Sequence, residues 1–142
     1  MKTTKLNTLT KTLFLGVLAT MRIFSFHSCA KKALFLTSSV VPAAQGEVTV
    51  TKDKNNNYVI KMQISNLAEV DRLQPPKKSY VVWMEADQGL TRNIGLITSS
   101  TALNVSFETV ATLRPTRIFL TAEEDEGVKY PGSMVVLTTG RL

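Results

Sequence analysis

The chain contains one cysteine, Cys29, and one histidine, His27, two positions apart. A thiol beside an imidazole is the raw material of nucleophilic catalysis or of a zinc site. Both residues fall in a segment read below as a cleaved and lipidated leader, which leaves the mature domain no histidine or free thiol for a Ser-His-Asp, Cys-His or His/Cys zinc arrangement. Carboxylates are the remaining chemistry. Two of them across a cleft can hydrolyse a glycosidic bond, and Glu85, Asp87 and Glu108 are the nearest candidates. All three fall at strand ends or on the polar side of alternating stretches, where carboxylates are ordinary. Glu123-Glu124-Asp125-Glu126-Gly127 is the densest charge cluster. Oxygen-rich loops bind calcium, but with spaced ligands rather than consecutive ones. The run reads as a solvated loop, or as a recognition edge for a basic partner through Glu124 and Asp125. Trp83 is the single tryptophan. It is either a sugar-stacking platform or a core residue, and its neighbours Val81, Val82 and Met84 favour the core. Tyr58 and Tyr130 lie near loops, where a tyrosine can meet a ligand or simply pack and hydrogen-bond outward. Neither a catalytic residue, a metal nor a cofactor is expected.

These side chains must be positioned by strands. Val48 and Val50 alternate with threonines. Tyr58, Ile60, Met62 and Ile64 share one face, and Lys61, Gln63 and Ser65 the other; a period of two marks half-buried strands. Asp53-Lys54-Asn55-Asn56-Asn57 between them is a turn-rich hairpin connection. Tyr80–Met84 is continuously apolar, as in a central strand with neighbours on both faces. Asp87-Gln88-Gly89 turns the chain into Asn93–Ile97, where Gly95 suggests a bulge or a close backbone approach. Val105, Phe107 and Thr109 alternate with polar residues, Arg117–Ala122 forms a further strand, and Tyr130-Pro131-Gly132-Ser133 turns the chain into Met134–Thr138. Leu67–Leu73 has room for one helical turn before Pro75-Pro76 stops it. The spacing predicts an all-β fold, an antiparallel β-sandwich of about seven to eight strands with immunoglobulin-like architecture.

The first 28 residues read differently. Lys2, Lys5 and Lys11 precede an apolar stretch that begins at Leu13 and runs to Phe26, interrupted by Arg22. That is the order of a secretory signal peptide, and it is too short and broken for a membrane span. Phe26-His27-Ser28-Cys29-Ala30 resembles the processing site of bacterial lipoproteins, with Ser28 matching the small residue before the cysteine. Phe26 and His27 depart from the usual Leu and small residue. The resemblance implies removal of residues 1–28 and lipidation of Cys29. It implies a lipoprotein held outside the cytoplasm of a Gram-negative bacterium. No Asp follows Cys29, which favours the outer over the inner membrane.

Cleavage would also change the charge. Four of the 17 basic residues and none of the 11 acidic ones precede Cys29, so the formal +6 falls to +2. No Lys/Arg run exceeds two residues, and nucleic acid is not an expected partner. Residues 29–43 are then a lipidated N-terminus leading into a tether or a first strand, and 44–142 the sandwich domain.

Tyr80-Val81-Val82-Trp83, followed by Gly89 and Asn93-Ile94-Gly95, resembles the extracytoplasmic C-terminal domain of anti-sigma-K factors. Phe107, the strand Ile118–Glu123, and Pro131-Gly132 before Val135-Val136-Leu137 continue the likeness over residues 44–139. The sigma-binding and transmembrane parts of that family have no counterpart here. The resemblance implies a sensor-like accessory domain that binds another envelope protein. The alternative is a carbohydrate-binding envelope lipoprotein. Expected partners are the membrane, through the lipid, and an envelope protein or a glycan, contacted through Trp83, Tyr130, Glu124 or Asp125.

Cys29→Ala is expected to abolish incorporation of labelled palmitate and to release the protein from the membrane fraction. Unchanged labelling would remove the lipoprotein reading.

Overall fold

The computed structural model describes residues 30–97 and 104–142. Cys29 and the segment 1–28 lie outside them. Among the described residues there are eight strands: β1 (Lys31–Leu34), β2 (Gln45–Lys52), β3 (Tyr58–Ser65), β4 (Ser79–Ala86), β5 (Thr91–Ile97), β6 (Asn104–Ala111), β7 (Pro115–Glu123) and β8 (Val135–Thr138). They form two antiparallel four-stranded sheets, ordered β1-β2-β3-β6 and β5-β4-β7-β8. The protein is a β-sandwich, as the strand spacing predicted. No described helix is long and apolar enough to cross a membrane.

The alternation in β2 and β3 sets the register. Val48 faces Met62 and Val50 faces Ile60 across the pair, and all four are buried. A one-residue slip would turn this whole set towards water, so the register is strongly specified. The hairpin between them is closed by Asp53. Its Oδ1 accepts the N–H groups of Asn55 and Asn57 at 2.8 and 2.9 Å, and Asn56 takes a left-handed conformation at φ 64°. Short amide side chains tolerate that region better than branched ones do.

The second sheet contributes Tyr80, Val82, Met84, Ile118 and Leu120 to the core between the layers. Each fully buried aliphatic side chain contributes about 1.5–3 kcal/mol. Both sides of the sandwich are sewn between the layers. On one side Phe35 bridges to Thr139, and the Leu36 N–H donates to the Thr138 carbonyl at 2.8 Å. On the other, Gly95 sits at a bulge in the β4–β5 pairing with φ 152°. A Cβ there would lie 2.6 Å from the Phe107 ring. Glycine is needed both for that backbone conformation and for the approach of β6 to β5.

The crossover from β3 to β4 contains a single 3-10 turn, Val70–Arg72, where one helical turn was expected. The buried Tyr80 fastens it: its hydroxyl donates to the Ala68 carbonyl at 2.8 Å. Burial, and secondarily the charge of Asp71, push its hydroxyl from the ordinary 10.0 up to about 12. The folded state therefore holds this proton more tightly than the unfolded chain does. That part of the stability is complete below pH 10 and is lost as pH rises towards 12. Tyr80→Phe should cost about 1 kcal/mol at neutral pH through the lost hydrogen bond. Urea unfolding of the variant should then show a shallower decline than wild type over that alkaline window. Identical slopes would show that Tyr80 does not carry the effect.

Candidate functional site

Chemistry-bearing residues of the second sheet collect on its outer face. Side chains alternate along β4, so Tyr80, Val82 and Met84 point between the sheets while Val81 and Trp83 point away. Phe119 of β7 lies opposite Trp83. Val81, Trp83 and Phe119 form a second, smaller buried cluster, against which Leu96 and Val128 pack. The two rings are nearly parallel, 15° apart, with centroids 6.3 Å from one another. Trp83 Nε1 donates to Thr121 Oγ1 at 2.7 Å, so the indole polar atom is satisfied inside the cluster. The Arg117 guanidinium lies 5.4 Å from the Phe119 ring centre and pairs with Glu85 at 2.6 Å.

Trp83 is 0% exposed. Its expected role as a surface contact is thus corrected: it presents no face to a ligand. It is a core residue, but in a core outside the space between the sheets. A β4 that is apolar on both faces requires this, because Val81 and Trp83 would otherwise face water.

The β7–β8 connection helps to cover the cluster through Val128, and it carries the acidic run. The run divides into distinct structural roles. Glu123 is only 8% exposed, and its Oε1 accepts the Gly132 N–H at 2.7 Å. A Cβ on Gly132 would stand 2.5 Å from the same carboxylate, so the loop closes onto Glu123 because residue 132 has no side chain. Opposite Glu123 in the register is Ser79, whose buried Oγ has no hydrogen-bond partner among the described residues. Glu124 pairs with Lys77 at 3.5 Å, and Asp125 Oδ1 accepts the Gly127 N–H at 2.9 Å. Glu126 is exposed. Tyr130, on the same loop, is 82% exposed. The structure therefore gathers the four expected contact residues around one loop, with Trp83 beneath it and Tyr130, Glu124 and Asp125 on its surface.

No group of three or more metal-ligating side chains occurs among the described residues. Glu85 and Asp87 both line a groove of about 480 Å³ with Thr116, Arg117 and Arg141, but Glu85 is engaged by Arg117. Glu108 lies on the other sheet, paired with Lys61 at 3.2 Å. A further pocket, of about 330 Å³, brings together Lys31, Lys52, Tyr58 and Arg114, with Lys52 Nζ 5.2 Å from the Tyr58 ring centre. Sequence reasoning missed this group because its members are far apart along the chain.

No protein-family model, curated protein or solved structure matches the chain.

Trp83→Ala should destabilise the domain by about 3–5 kcal/mol. Thr121→Val, which leaves the indole N–H buried and unpaired, should cost about 1–3 kcal/mol. Denaturant midpoints test both. A stable Trp83→Ala variant would overturn the structural role assigned to this cluster.

Proposed function

We propose that the chain is a lipid-anchored, extracytoplasmic binding domain of the bacterial envelope, sensor-like, that works by contacting another envelope protein rather than by catalysis. The observation that carries this reading is Tyr130. At 82% exposure its ring is the most accessible large apolar or aromatic side chain among the described residues. It sits on a loop pinned by Glu123–Gly132, Asp125–Gly127 and Lys77–Glu124. Tyrosine supplies large contact area at low ordering cost and is enriched among residues that dominate protein interfaces. The acidic side chains beside it favour a basic partner surface.

The anchored half of the reading rests on the lipoprotein-like residues up to Cys29. Strand β1 begins at Lys31, so a lipid on Cys29 would hold the domain close to the bilayer with Ala30 alone between them. Residues that carry the likeness to the extracytoplasmic domain of anti-sigma-K factors fall on β4, β5 and β7, and the sensor-like part of this proposal rests on that likeness. Burial of Trp83 counts against the carbohydrate-binding alternative, which needs an accessible aromatic platform.

Replacing Tyr130 with a photoreactive phenylalanine analogue should yield covalent adducts to an envelope protein in intact cells. The same analogue at Val110, exposed on the outer face of the other sheet, should not. Equal capture at both positions, or none at 130, would defeat the reading. Adducts that a glycosidase removes would favour the glycan.

A further inference from the structure

The fold separates charge along the strand direction. β1 starts, β2 ends, β3 starts and β6 ends at one end of the first sheet. At the same end of the second sheet lie the β4–β5 turn, the start of β7 and the segment after β8. Six basic side chains belong to this end: Lys31, Lys52, Lys54, Arg92, Arg114 and Arg141. All six are exposed, and none has an ion-pair partner among the described residues. By contrast Lys32, Lys61, Arg72, Lys77 and Arg117 are each paired. Three side-chain carboxylates share the basic end. Asp53 is taken up by Asn55 and Asn57, Glu85 by Arg117, and Asp87 remains on its turn. The opposite end carries the acidic β7–β8 loop, where Lys78 and Lys129 are outnumbered by carboxylates.

Two exposed leucines accompany the cations. Leu90 closes the β4–β5 turn at 45% exposure, and Leu113 sits on the β6–β7 turn at 37%. Unpaired cations beside apolar loop tips fit a surface that is both anionic and oily at shallow depth. A bilayer containing acidic headgroups has both properties, whereas a soluble polyanion uses only the charge.

We infer that this basic end docks on an anionic lipid surface, with the cations over the headgroups and Leu90 and Leu113 at the acyl boundary. The inference rests on the lipid-anchored reading for its source of membrane. Cys29 lies two residues before Lys31, so the anchor would leave the domain from the same end. The acidic loop and Tyr130 would then point away from the bilayer.

The test uses the full-length lipidated protein in vesicles of phosphatidylcholine alone or mixed with phosphatidylglycerol. Thr112→Cys, at an exposed position beside Leu113, carries a polarity-sensitive fluorophore. Its emission should shift to the blue only with phosphatidylglycerol, and the shift should fade at high salt. Lys52→Glu combined with Arg114→Glu should abolish it. The same dye at Ser133→Cys, on the far loop, should not respond. No shift at 112, an equal shift on phosphatidylcholine, or an equal shift produced by a soluble polyanion would overturn the inference. The anchor itself is read separately: dye uptake by Cys29 in the wild type would defeat lipidation. In that case Thr112→Cys combined with Cys29→Ser on the same vesicles still decides the docking.

Discussion

The pairing of β4 with β7 governs much of this structure. Both strands are buried on both faces along most of their length. Their inward residues form the layer between the sheets. Their outward residues, Val81, Trp83 and Phe119, are too apolar to be left in water, so the chain must return across them before β8 begins. That return is the β7–β8 connection. Its course explains the buried Glu123, the glycine at 132 and the outward projection of Tyr130. An acidic loop is held in a defined position because an aromatic cluster beneath it has to be covered.

The strands were largely legible in the sequence. Period-two alternation in Val48–Val50 and Tyr58–Ile64 corresponds to β2 and β3, and the unbroken run Tyr80–Met84 signalled a strand packed on both sides. That run also concealed something. With apolar residues on both faces, alternation alone does not say which face meets the other sheet, and Trp83 lies on the outer one. The acidic cluster was visible as composition, but its division into a buried carboxylate, an ion pair and a turn cap depends on Gly132, Lys77 and Gly127. Only the fold brings the first two of these to it.

Charge shows the same limit more sharply. Along the chain no basic run exceeds two residues, and the basic side chains look dispersed. Antiparallel registers then bring Lys31, Lys52, Arg114 and Arg141 to one end, while the local carboxylates are mostly taken up by amides or by Arg117. A nearly neutral domain is thereby polarised. Such a distribution arises from where strands begin and end, which no linear window can sense.

The seam at Phe35 and Thr139 has a mechanical consequence. β1 pairs with β2, and directly after it the N–H groups of Phe35 and Leu36 donate to the carbonyls of Gly46 in β2 and Thr138 in β8, so the chain leaving β1 is held by both sheets. Antiparallel hydrogen bonds run perpendicular to the strands. A pull on the N-terminal end directed along β1 therefore loads these bonds together in shear, instead of peeling them one after another. The first described strand is thus backed, at its C-terminal end, by a grip on both sheets against traction along its own axis, and part of that grip comes from β8, almost at the opposite end of the sequence.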